Sequence, residues 1–170
     1  MAEKRGARPA ASAAPVSGEV ILDFSNVKPF EPIDPTLIYL CSVSNLTVGK
    51  SKEGNPKTSL ELTIISPDEV AVEDWHENDK AEVVNFGMTD KTTKAKGRKL
   101  FREYSLNANA LPFLYEFVKA ADPNAVLNES FRYNPKNYMG LQVAVKVENE
   151  AYEEQVRPRV TKVLPASAAK

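Results

Sequence analysis

Six basic residues and no acid fall within Lys91–Arg102, the densest run of like charge in the sequence. Lys94, Lys96, Arg98, Lys99 and Arg102 are spaced to follow a phosphate backbone, each neutralised phosphate releasing bound counterions. Gly97 gives that segment freedom to approach a ligand. Phe101 and Tyr104 interleave with the charges, the pairing used by single-strand binders, whose aromatic faces stack on bases. Two further patches repeat the theme. Lys50, Lys52 and Lys57 surround a turn rich in Gly, Asn and Pro, and Phe131–Tyr138 combines Arg132 and Lys136 with Tyr133 and Tyr138. The cations are candidate phosphate contacts, and Phe101, Tyr133 and Tyr138 are candidate stacking platforms. A solvated basic loop fits the same composition equally well, and Phe101 or Tyr138 fits a core position.

Other chemistries lack their residues. The chain of 170 residues holds one Cys and one His, Cys41 and His76. An internal disulfide and a Cys/His zinc site are therefore excluded, and a Ser-His-Asp or Cys-His mechanism would have to run through His76 among acidic neighbours. Gly49-Lys50-Ser51 looks like the end of a phosphate-binding loop. However, Ser44 stands where the first glycine is needed, and a strand rather than a helix follows. Residues 68–82 carry seven carboxylates against Lys80, a net charge of −6. A magnesium-dependent nuclease would need such carboxylates gathered in a cleft, whereas this stretch reads as a solvated loop or short helix around Trp75. No catalytic residue, metal site or cofactor is expected. The overall charge of −1 thus conceals a polarised molecule, and field focusing depends on local charge.

The elements that must position these residues follow from periodicity. Residues 1–18, rich in Ala, Pro and Ser, and residues 165–170 are expected to be disordered tails around a single domain at 19–164. Pro29, Pro32 and Pro35 imply an extended segment, pinned along the domain by Ile21, Leu22, Phe24, Val27 and Phe30. Leu37–Val48 and Lys57–Ile65 predict a hairpin, the second strand directing Leu60, Leu62 and Ile64 inward. A third strand is expected over Ala81–Met88, followed by a charged loop. Leu111, Leu114 and Val118 give helical spacing over Asn109–Ala121, capped by Asn107 or Asn109, with Pro112 in the first turn. Alternation at Leu141–Glu148 and a run at Arg157–Leu164 predict two closing strands, with Pro158 marking an edge. The fold class is mainly β: an OB-fold-like antiparallel barrel of five to six strands, with one helix before the last two. A small α+β sandwich is the alternative. No stretch has the length and apolarity of a membrane span or signal peptide, so a soluble, cytoplasmic protein is expected.

In this order the features resemble a known group. Leu37-Ile38-Tyr39 opens a strand that leads to Ser51-Lys52-Glu53-Gly54, and Arg98-Lys99-Leu100-Phe101 precedes Tyr104-Ser105-Leu106. Ala110-Leu111 and Leu114 begin the helix, and Tyr138-Met139-Gly140 leads into Val143-Ala144-Val145, with Tyr152 ahead of Arg159-Val160. Over residues 24–164 the chain resembles OB-fold single-stranded DNA-binding proteins encoded by bacteriophages in their replication and recombination modules. The resemblance implies a non-catalytic protein that coats single-stranded DNA in the bacterial host cytoplasm, beside a recombinase, nuclease or helicase. The sequence departs from bacterial members in ending Pro165-Ala-Ser-Ala-Ala-Lys170, without an acidic tail and terminal Phe to recruit partners. A structural or protein-interaction barrel, such as a virion or scaffold component, is the competing reading, and oligomeric state is left open.

Overall fold

The computed structural model describes residues 21–22, 31–152 and 155–169. The segment 1–18 and residues Phe24, Val27 and Phe30 lie outside this set. Ile21 and Leu22 do not pin the chain as expected, being 97% and 63% exposed. That role falls to Ile33, fully buried and bridged to Val72.

Among the described residues, seven strands form two antiparallel sheets. The larger contains β1 (Tyr39–Lys50), β2 (Pro56–Ser66), β5 (Lys99–Ser105), β6 (Gln142–Tyr152) and β7 (Gln155–Pro165), in the order β5-β2-β1-β6-β7. Period-two alternation builds its inner face. Tyr39, Cys41 and Val43 of β1, Leu60, Leu62 and Ile64 of β2, and Val143, Val145 and Val147 of β6 are all buried. A register shift between Val43 and Asn45 moves the inward position by one residue, so Leu46 is buried in their place. At an edge, β7 accommodates Pro158 opposite Asn149.

The helix α1 (Leu111–Ala121) lies between β5 and β6, before the last two strands, and buries Leu114, Phe117 and Val118 on the core. Pro112 occupies its first turn and Ala110 its N-cap position. Neither asparagine caps it: Asn107 precedes a 3-10 turn at Ala108–Ala110 and makes no capping bond there. Glu116 Oε1 accepts the Val163 backbone N–H at 2.7 Å, so the helix covers part of the β7 edge. After β7, Ala166–Ala169, expected to be disordered, form a short 3-10 turn.

Strand order and helix position are OB-fold-like, but among the described residues backbone hydrogen bonds do not close a barrel. The edges β5 and β7 are instead bridged by a side chain, Arg102 Nη1 donating to Val160 O at 3.1 Å.

The second sheet departs most from expectation. Glu69–Glu77, read as loop or helix, is strand β3, and the strand expected at Ala81–Met88 is β4 at Val83–Lys94. They pair as a ribbon inserted between β2 and β5. Glu73 explains how an acidic segment can pack: it is buried but accepts from Trp75 Nε1 (2.8 Å), Asn85 Nδ2 (2.9 Å) and Asn149 Nδ2 (2.7 Å). A buried carboxylate is tolerated when its lone pairs are filled in this way.

Candidate nucleic-acid interface

The three basic patches do not converge on one surface. Lys50 and Lys52 lie at the β1–β2 turn, where Gly54 takes a positive φ of 84°. The Phe131–Tyr138 segment docks beside that end, because the Tyr133 hydroxyl and Thr58 Oγ1 share a hydrogen bond of 2.9 Å. Lys94 and Lys96 lie at the other end of the β2–β5 ladder, around a turn in which Gly97 N–H donates to Ile64 O and φ is 90°. The ladder pairs Lys57 with Ser105 and Thr63 with Lys99, so about 20 Å separates the two ends at ~3.3 Å per residue.

Four of the candidates are structural. Tyr138 is 4% exposed and packs between Phe117 and Tyr133, with ring centroids 5.7 Å from each, so it is core and no stacking platform. Tyr133 is half-buried and committed to Thr58, whose own hydroxyl reaches Thr47 O, and burial raises the phenol pKa. Arg102 spans the β5–β7 gap and lies over the Tyr104 ring, its guanidinium carbon 4.9 Å from the centroid. Arg98 is partly buried and donates to Glu31 O at 2.9 Å, tying down the incoming chain; desolvation lowers its pKa, against the opposing pull of Glu31. Aromatic and basic types are shared by core, clamp and binding surface, so composition could not separate these roles.

Two further cations are paired on the outer sheet face. Lys57 binds Glu103, a contact that holds the Glu103 carboxyl below its usual range, and Lys99 Nζ lies 3.3 Å from Glu61. The solvated set comprises Lys50, Lys52, Lys94, Lys96 and Arg132, all exposed and without a hydrogen-bond or ion-pair partner for the side chain among the described residues.

Phe101 remains a surface aromatic, 59% exposed on the outer side of β5. It borders a groove of about 240 Å³ between β5 and the β6–β7 hairpin, lined by Lys99, Phe101, Glu150, Arg157, Pro158 and Arg159. Arg159 is held 3.3 Å from Glu150, and Arg157 stacks two donors on Gln155 Oε1. Lys99 and Arg159 thus enter the groove already paired, with Glu61 and Glu150. Arg157 and Arg159 were missed in the sequence because they alternate within a strand instead of forming a run; only the topology, which sets β7 beside β5, reveals them. No group of His, Cys, Asp and Glu able to hold a metal ion occurs among the described residues, and no helix there is long and apolar enough to cross a membrane.

No protein-family model and no curated protein matches this chain.

Proposed function

We propose that the protein binds single-stranded DNA without catalysis, along the groove between β5 and the β6–β7 hairpin. The observation that carries this reading is the exposed Phe101 ring set among Lys99, Arg157 and Arg159. An OB-fold binds oligonucleotides on the face of its second and third strands and on adjoining loops, and here β2, β5 and the last hairpin occupy those places. Phe101 stacks on a base, which requires an unpaired strand, and the cations take the flanking phosphates. Lys94 and Lys96 extend the phosphate track beyond the start of β5. Such a coat suits phage DNA replication or recombination in the cytoplasm of a bacterial host, beside a recombinase, nuclease or helicase. A second reading, a protein-interaction module, is favoured by the carboxylates that already pair Lys57, Lys99 and Arg159.

The test is fluorescence anisotropy with a labelled dT oligonucleotide and its duplex counterpart, without metal, at two salt concentrations. Binding should favour the single strand and weaken with salt. Phe101→Ala should cost about 1–3 kcal/mol of affinity. Absence of binding at low salt refutes the reading and leaves the interaction module.

A further inference from the structure

The β5–β7 groove holds a carboxylate that base stacking and phosphate contacts leave without a role. Asn149 turns inward to donate to Ile33 O and Glu73, so strand alternation points Glu148 and Glu150 to the outer face. Leu100 and Val160 are buried, which sends Phe101 and Arg159 to that same face. Glu150 lines the groove together with Phe101, whereas Glu148 does not. Arg159 holds Glu150 through one contact, Nη1 to Oε2 at 3.3 Å, and the two side chains stay 65% and 52% exposed. An ionised carboxylate offers about four lone-pair sites, so most of its accepting capacity still faces the groove. Its Oε1 takes no hydrogen bond among the described residues.

The pairing of the cations narrows the kind of ligand this acceptor meets. With Lys99 matched to Glu61 and Arg159 to Glu150, the groove is a mixed polar wall around an aromatic ring rather than a bare positive track. Such a wall suits the edge of a neutral heterocycle. Its volume of about 240 Å³ falls below the ~300–1,000 Å³ of drug-sized ligand pockets, and fits one planar base lying on the ring.

The chemistry of the base edges then separates the candidates. On its Watson–Crick edge guanine presents two adjacent donors, N1–H and N2–H, which a carboxylate accepts side by side. Adenine and cytosine each set one amino donor beside a ring-nitrogen acceptor, and thymine sets N3–H between two carbonyl oxygens. An acceptor-only group is therefore opposed by part of every edge except that of guanine.

We propose that Glu150 reads guanine in the single strand, accepting N1–H and N2–H while Phe101 stacks on the ring. The inference rests on the DNA-binding function proposed above and adds a base preference to it. The edge it uses is the one a duplex occupies in pairing, so the same contact cannot form on paired DNA.

Competition anisotropy with the full chain tests the preference. Unlabelled dT oligonucleotides, all-dT or carrying one central guanine, hypoxanthine, adenine or cytosine, displace a labelled dT strand. The guanine strand should compete at least ~5-fold better than all-dT, the lower end for a bidentate base contact. Hypoxanthine, which keeps N1–H but lacks the N2 amine, should fall between them. Glu150→Gln should abolish the ranking, because an amide offers one acceptor oxygen and two donors. Glu148→Gln removes the same charge from the same strand outside the groove and should preserve it. A ratio between strands on one protein does not depend on how much of a variant folds. Equal competition by all five strands, or a preference for another base, overturns the proposal and leaves the DNA reading standing. So does a guanine preference that survives Glu150→Gln or that Glu148→Gln removes equally. Failure of every strand to bind, dT included, refutes the DNA reading and the base preference with it.

Discussion

At the residue scale, aromatic side chains that look alike in the sequence take opposite roles. Tyr138→Ala opens the core beside Phe117 and should cost about 3–5 kcal/mol of stability in denaturant unfolding. Phe101→Ala removes a ring already in solvent and should leave the unfolding midpoint within about 0.5 kcal/mol of wild type. The sequence places both beside cations and cannot rank their burial, because Tyr138 is buried by a helix distant along the chain. Cys41 offers a second contrast. Burial pushes its thiol from the ordinary 9.0 up to about 12. The folded protein therefore keeps a proton that the unfolded chain gives up, and this contribution to stability is complete below pH 9 and declines as pH rises toward 12. Iodoacetamide should label Cys41 only after denaturant is added, and Cys41→Ala should flatten the fall in stability between pH 9 and 10. Labelling of the native protein at the unfolded rate contradicts the burial.

At the element scale, the hydrogen bond described across the open seam of the large sheet comes from a side chain rather than from a ladder, over a core shared by Leu100 and Val160. Arg102→Met keeps the packed stem but removes the bond to Val160 O, and should destabilise the protein by about 1–3 kcal/mol. Amide exchange should quicken first in β5 and β7, and uniform exchange across the sheet places the seam elsewhere. The strands of this sheet were readable because Leu60, Leu62 and Ile64, like Val143, Val145 and Val147, alternate with polar residues. The ribbon was not readable for a specific reason: Glu73 occupies a position that period-two reasoning reserves for an apolar residue. Its burial depends on Asn149, from a strand more than seventy residues later. The site divides likewise. The run containing Lys94, Lys96 and Lys99 was visible as sequence, whereas Arg157 and Arg159 required the arrangement of β7 beside β5.

At the scale of the whole molecule, separation of the basic patches has a measurable signature. Lys96→Ala with Lys99→Ala should reduce the slope of log affinity against log salt by about 1–2 units, since both flank the proposed track. Lys50→Ala with Lys52→Ala, about 20 Å away along the ladder, should change the slope by less. Equal effects would mean that the strand runs the full length of β2 and β5. The inserted ribbon also bears on how the chain assembles. Ile64 and Gly97 meet across a hydrogen bond although roughly thirty residues separate them. Once the ribbon pairs, a microsecond event for a hairpin, it returns the chain to nearly where it left β2, so the intervening segment ceases to behave as a long flexible loop. The entropy of bringing β5 onto β2 is then met mostly by a local event, and a topologically distant pairing acquires the kinetics of a near one.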